Sequence, residues 1–430
     1  MFPSRPVTVP RFGAGRPVAG DCPMRLLVAA ALLLALPACG FDGTDSDDEA
    51  SAEADRTSID DNGADSMRSN DPAEGQAARV DIPDSEERPI MQAQVVLDRR
   101  GFGPGVIDGK MGISTENALK GFQEANGLEV TGELDEPTEA ALAQWSNIPA
   151  TRVVTIPDDW GERQYREVPE EPAEQAKLQL LGYESLDERL AERFHTTVEV
   201  LRQLNPGGRP AGMEQSGSAL ADGGQVTARG NATAAASAPP SATATTSAAE
   251  PGFRAGQQIR VPNIGADLID PSQVQDKTWQ QTLASLGVGT SQPEVTRIVV
   301  DKSESWLKGY DAAGKLVAMF TVTSGSSRDP LPLGEWGITG ISRNPPFAFD
   351  PELFWDVPDT EEKQQLPPGP NGPVGVVWID LTKEHYGIHG TPAPETIGRA
   401  QSHGCVRLTN WDAARLAEMV DTQTEVIFQA

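Results

Sequence analysis

Hydrophobic positions change their spacing several times along this chain, and each change marks a boundary. An unbroken apolar run from Leu26 to Leu36 follows Met24-Arg25 and ends at Pro37-Ala38-Cys39-Gly40. Residues 40–89 then carry Asp, Glu, Ser and Ala with almost no large apolar side chain. That is too little to bury on folding, and the segment reads as a disordered acidic tether. From Ile90 the apolar positions take helical spacing, with Ile90, Ala93 and Leu97 on one face. After the turn-forming Val106-Ile107-Asp108-Gly109, Thr115 is the expected cap of a second helix carrying Ala118, Leu119 and Phe122. Asp135 is the expected cap of a third, with Pro137 in its first turn and Leu142 on its apolar side. Residues 90–145 therefore predict a small three-helix bundle.

A second helical pattern is interrupted. Ser185 and Glu188 make a capping box, and Leu186, Leu190 and Phe194 line one face of the helix that follows. Thr196 with Glu199 repeats the signature before a shorter helix with Val198, Leu201 and Leu204, closed by Asn205-Pro206. Gly256 to Pro262 reads as a short strand. Between them lies a Gly-, Ala-, Ser- and Thr-rich insert, 207–251, which loops out at modest entropic cost. Residues 176–263 thus predict one interrupted βααβ module. Beyond 295 the pattern becomes that of strands. Val295–Val300 and Leu316–Val322 are short and β-branched, with breaks at Gly314, Gly325, Gly334 and Pro345-Pro346. Residues 295–430 predict a mostly β, sandwich-like domain, and the fold class of the whole is multidomain α+β.

Composition supports modules over a single core, since the 430 residues include 42 glycines and 35 prolines. A net charge of −28 argues against nucleic acid as a partner and suits a soluble extracytoplasmic protein. The charged start and the apolar run describe a secretory signal, too short to span a bilayer as a mature helix. The Leu-Pro-Ala-Cys ending resembles the lipobox of bacterial lipoproteins, which implies a signal segment over 1–39, lipidation of Cys39 and a membrane partner through that anchor. The start is open between Met1 and Met24. Gly40 after the cysteine implies a periplasmic protein anchored to the outer membrane. Of three cysteines, Cys22 precedes the expected mature start and Cys39 carries lipid, which leaves Cys405 as a lone thiol. In an oxidising compartment a lone thiol points to reactivity.

Near the end stand Ile388-His389-Gly390-Thr391 and Gln401-Ser402-His403-Gly404-Cys405-Val406-Arg407-Leu408. Acyl transfer through sulfur needs a nucleophile, a base for its proton and donors for the oxyanion. Cys405 supplies the sulfur. Gly404 has no side chain to block approach, so the N–H groups of Gly404 and Cys405 are expected to aim at one oxygen. His389 and His403 are both candidates for the base. His403, two residues before Cys405, need not face it, whereas His389 lies on a separate segment that can approach across the sheet. An adjacent imidazole is expected to depress the thiol's acid constant, so that it reacts as a thiolate near neutral pH. Arg407 is open between holding a substrate carboxylate and pairing with an acid such as Asp412. Zinc on His385, His389, His403 and Cys405 is a competing chemistry. Against it, Gly387 interrupts the first pair, no Glu follows His385, and a zinc-bound cysteine needs no preceding glycine.

The string His-Gly-Thr at 389–391, then Ser-His-Gly-Cys at 402–405 and Val-Arg-Leu, resembles the signature of the L,D-transpeptidases. The similarity runs over roughly 295–429, including Val300-Asp301-Lys302-Ser303 and Pro367 to Pro373. It implies that Cys405 is the nucleophile and His389 the general base and acid, with the Gly390 carbonyl orienting the imidazole. Ser402, His403 and Arg407 fall in the motif as substrate-contact candidates, and no cofactor or metal is needed. The run from Gly101-Phe102 through Asp108-Gly109, Phe122-Gln123, Asn126-Gly127-Leu128 and Leu134-Asp135 to Thr138 resembles the peptidoglycan-binding repeat. The helix-helix-Leu-Asn-Pro order before Gly-Gln-x-Ile-x-Val-Pro resembles a lysin motif, which binds N-acetylglucosamine-containing glycans, with Gly182-Tyr183-Glu184-Ser185 in place of the usual Gly-Asp-Thr entry. The implied protein binds peptidoglycan and moves the acyl group of the third stem residue, with release of D-alanine. A stem peptide as acceptor gives a 3→3 cross-link, and a protein lysine links a protein to the wall. Water gives an L,D-carboxypeptidase or endopeptidase, and a dead catalytic domain would leave a non-catalytic wall-binding lipoprotein. The motif encodes the acyl-enzyme and not its acceptor.

Overall fold

A computed structural model describes residues 82–213, 252–265, 268–354, 357 and 361–430. Cys39, most of the tether and most of the 207–251 insert lie outside them.

The bundle comprises α1 (Pro89–Arg99), a two-residue strand β1 (Phe102–Gly103), α2 (Ile113–Ala125) and α3 (Glu136–Leu142). Asp135 caps α3, its Oδ1 accepting from Thr138 N at 3.0 Å. Thr115 does not cap α2. The cap residue is Gly112, and Thr115 lies inside the first turn, where its Oγ1 accepts from Gln94 Nε2 at 3.0 Å. A buried amide needs partners, and Gln94 takes the hydroxyl that the sequence seemed to offer the helix end.

The next layer begins with β2 (Thr151–Thr155), which pairs antiparallel with β3 (Gln258–Pro262) across more than a hundred residues of sequence. Between them come α4 (Leu186–Arg193) and α5 (Val198–Leu204). The strand that opens this arrangement therefore lies upstream of residue 176. Ser185 caps α4 as its capping box suggests, accepting from Glu188 N at 3.1 Å. The cap of α5 is Thr197 rather than Thr196. Thr196 Oγ1 donates instead to Ile107 O of the bundle at 2.7 Å, so docking claims the hydroxyl that spacing assigned to the helix.

After α6 (Lys277–Leu286) come β4 (Arg297–Asp301), β5 (Trp306–Tyr310), β6 (Leu316–Thr321), β7 (Gly334–Arg343), β8 (Phe347–Phe349), β9 (Gln364–Leu366), β10 (Val377–Leu381), β11 (Gly387–His389), β12 (Val406–Arg407), α7 (Asn410–Met419) and β13 (Glu425–Gln429). The main sheet runs β1-β6-β5-β4-β13-β7-β10-β11-β12. The long strand β7 pairs with β13 through its first four residues and with β10 through the rest, so it carries the chain from one half of the sheet to the other. Both halves bury apolar side chains in one core with α6 and α7, among them Trp279, Phe320, Ile379, Val406 and Trp411. The domain is mostly β, but these two helices were not anticipated, and α7 shapes the site.

The modules are not beads on a string. β1 joins the sheet edge parallel to β6. Gly121 of α2 approaches so closely that a Cβ there would stand 2.8 Å from Met319. The bundle's Leu97, Phe102 and Phe122 share a core with Trp306 and Met319. Where bundle, βααβ layer and mostly β domain meet, Asp98 Oδ1 faces His195 Nδ1 at 3.2 Å and Arg415 Nη1 at 3.3 Å. His195 stacks on Trp411 at 4.9 Å and its Nε2 contacts Leu286 O at 2.8 Å. Burial works to raise the Asp98 acid constant, yet Arg415 and His195 together hold it well below the usual carboxylate range.

Candidate active site

Strand register lays the site out. Trp378 on β10, His389 on β11 and Arg407 on β12 stand side by side. Cys405 sits in the bend immediately before β12, two residues ahead of Arg407. The pairing of β11 with β12 sets the strand of His389 beside the segment that leads out of Cys405. His403 sits elsewhere in its surroundings, half-buried and edge-on to Phe354 at 5.3 Å.

His389 is 4% exposed, and its Nδ1 lies 2.7 Å from Gly390 O. A carbonyl only accepts, so Nδ1 carries the proton and Nε2 keeps its lone pair, the tautomer a base needs. Trp378 stacks on the imidazole with ring centroids 5.5 Å apart. Burial, reinforced by the positive charge of Arg407, lowers the imidazole's acid constant to about 3 against the opposing bond to Gly390. His389 is therefore neutral through the physiological range.

Cys405 is half-buried, and its Sγ lies 3.8 Å from His385 O. Burial pushes the thiol up, and the hydrogen bond from the Gly387 backbone and the charge of Arg407 do not reverse it. The expectation of a resting thiolate is thus corrected. Burial thus favours the neutral thiol at Cys405, as it favours the neutral imidazole at His389.

The turn before the sulfur is tightly braced. Ser402 Oγ donates to Cys405 O at 2.6 Å and accepts from Gly404 N at 3.2 Å. Its backbone bridges to Ser324 and Ser326. The Gly404 N–H is therefore engaged with Ser402 and not open for an oxyanion, which corrects the two-donor expectation. Gly404 has φ +107°, and a Cβ there would stand 2.6 Å from Tyr386 Cε1, so glycine is needed on two counts. Tyr386, which sequence reasoning missed, packs on this turn. Its hydroxyl is pushed up by burial and then by the charges of Cys405 and Asp329. The available signal was an aromatic residue three positions ahead of the candidate base.

Arg407 acts on both reacting groups through its charge. Asp412, the acid considered as its structural partner, is buried in the first turn of α7. It accepts from Thr409 Oγ1 at 2.9 Å. Burial pushes it up to about 6, with Arg415, Asp98 and His195 as its charged neighbours. Among the described residues no group of three or more His, Cys, Asp or Glu is placed to hold a metal. His385 is exposed and turns to Glu384 at 3.5 Å.

Residues 295–428 match the family model described as "L,D-transpeptidase catalytic domain" (YkuD), and residues 87–142 match "Putative peptidoglycan binding domain". The chain is 51% identical over 59 residues to "Putative L,D-transpeptidase YkuD" of Bacillus licheniformis, covering 14% of this chain and 36% of that one. It is 30% identical over 171 residues to "Probable L,D-transpeptidase ErfK/SrfK" of Escherichia coli, covering 38% and 52%. Among solved structures, the catalytic domain of an L,D-transpeptidase from E. faecium acylated by ertapenem aligns at 21% identity with a TM-score of 0.25, covering 32% of this chain and 99% of that one. The chain spans about a third of the length of the first curated relatives it matches.

Proposed function

From a chain whose residues 295–428 are an L,D-transpeptidase catalytic domain of the YkuD family and whose residues 87–142 are a peptidoglycan-binding domain, we propose an enzyme that transfers stem-peptide acyl groups through a thioester on Cys405. The observation that carries the reading is the 2.7 Å contact of His389 Nδ1 with Gly390 O, which fixes the basic tautomer on the strand paired with the one that follows Cys405. His389 Nε2 takes the thiol proton as Sγ bonds to the carbonyl of the third stem residue. The Cys405 N–H supports the oxyanion. The C–N bond to D-alanine then breaks, and the proton passes from His389 to the leaving amine. An acceptor amine reverses the sequence and forms the new amide. Arg407, beside both reacting groups, suits a substrate carboxylate.

The enzyme works in the cell envelope. Attachment through a lipid on Cys39 to the outer membrane rests on the lipobox-like sequence, and glycan binding by the βααβ layer on its resemblance to a lysin motif. The test of the chemistry is intact mass. A donor tetrapeptide, and a carbapenem as the family resemblance implies, should each add an acyl mass at Cys405. Cys405→Ser should abolish turnover, and His389→Ala should slow acylation about 10²–10⁴-fold. Full activity of Cys405→Ala would remove Cys405 as the nucleophile, and a wild-type chain that gains no acyl mass would return the protein to a wall-binding role.

A further inference from the structure

We infer that Glu192, which belongs to the βααβ layer and not to the catalytic sheet, is a positioning residue for His389. Glu192 is 8% exposed near the end of α4, and its Oε1 accepts from Asn410 Nδ2 at 2.7 Å. Asn410 opens α7 and is fully buried. Its Nδ2 also donates to Pro370 O at 3.0 Å, while its Oδ1 accepts from Val376 N at 3.3 Å. Both donors meet acceptors and the acceptor meets a donor, so the amide has one orientation. Turning it over would set Nδ2 against an N–H and Oδ1 against two oxygens.

That orientation matters because Oδ1 rests on the backbone of Gly375 and Gly390, where a Cβ at either position would collide with it. The Gly390 carbonyl is the group that holds the His389 Nδ1 proton. Glu192 thus fixes Asn410, Asn410 backs the Gly390 peptide, and that peptide aims Nε2. Burial raises the Glu192 carboxyl to about 7, with Tyr183 and Asn410 opposing and Glu188 adding to the rise. Ionised or neutral, the side chain keeps an oxygen for Asn410, so its positioning role survives on both sides of that value.

The inference rests on the reading of His389 as the base, and full-length variants separate the two. Glu192→Gln keeps reach and acceptor but loses charge, whereas Glu192→Asp keeps charge but is one methylene short. Single-turnover acylation by a donor tetrapeptide should stay within about twofold in Glu192→Gln. In Glu192→Asp and Glu192→Met it should fall about tenfold or more, with donor KM little changed, because a small misplacement of a reacting group is costly. The His389 Nδ1–H proton resonance should move upfield in those two and not in Glu192→Gln. A folded Glu192→Met with wild-type rate and resonance overturns the inference, as does Glu192→Asp outperforming Glu192→Gln. If Glu192→Met does not fold, the Asp and Gln pair decides. His389→Ala runs alongside. Its acylating at the wild-type rate would sink the base assignment itself, whereas a dead His389→Ala with indifferent Glu192 variants removes only Glu192.

Discussion

The acid constant of His389 makes the pH profile of acylation the sharpest test of the site. An imidazole at its ordinary value of 6.5 is ~90% neutral at pH 7.5 and only ~3% neutral at pH 5. If His389 titrated normally, the rate would fall about 30-fold across that interval. Held at about 3 by burial and Arg407, it stays ~99% neutral at pH 5, and the rate should change by less than about twofold. The sign follows from the role. The base acts unprotonated, so lowering its acid constant pushes the acid limb down and out of the working range. The assay is single-turnover transfer from a tetrapeptide donor, read as acylated intact mass between pH 4 and pH 9. Asp412 titrates near 6, so the same profile is taken in Asp412→Asn. An acid limb centred near 6.5 that persists in Asp412→Asn would refute the lowered value of the His389 imidazole. Arg407→Met, by removing the cation beside His389, should move the acid limb upward.

Further outcomes follow from the packing. Asp98→Asn should cost about 3–5 kcal/mol at pH 7 by denaturant midpoint, because it removes one partner of the buried ion pair with Arg415. A loss below about 1 kcal/mol would mean the cluster is not a stabilising one. Since folding lowers the Asp98 acid constant, its contribution should be full above about pH 4 and fade as pH falls below that. Gly404→Ala should cut acylation at least about 10²-fold while the far-UV spectrum holds, because the turn cannot keep φ +107° beside Tyr386. Cys39→Ala should move the protein from the membrane fraction to the soluble one, and co-fractionation of both forms would remove the anchor.

The chemistry was legible because it is written locally. Cys405 and His389 each stand beside a glycine in a short contiguous motif, and the pairing of β11 with β12 sets the two motifs on neighbouring segments. The oxyanion donors and the thiol's protonation state were not legible, since each depends on what a folded neighbour occupies. Ser402 takes the Gly404 N–H, and burial decides the charge of Cys405. The helical caps show the same limit on a smaller scale. Thr115 and Thr196 have the right spacing to cap, yet Gln94 and the Ile107 carbonyl claim them from other parts of the chain. β2 escaped notice because its partner β3 lies beyond the insert, so neither strand could be paired from local pattern. Tyr386 carries no motif of its own, and only the turn at Gly404 reveals its place.

The two-residue strand β1 has a consequence for how such an enzyme can be rebuilt. By pairing with β6 it finishes an edge that would otherwise present free backbone groups, and α2 with Gly121 covers the apolar face around Trp306 and Met319. An unpaired edge next to exposed tryptophan and methionine invites association between copies. The bundle is therefore the plug of the main sheet, and a graft that exchanges it for another domain must supply a matching edge strand and a glycine-faced helix, or the transplanted protein will aggregate before it meets a substrate.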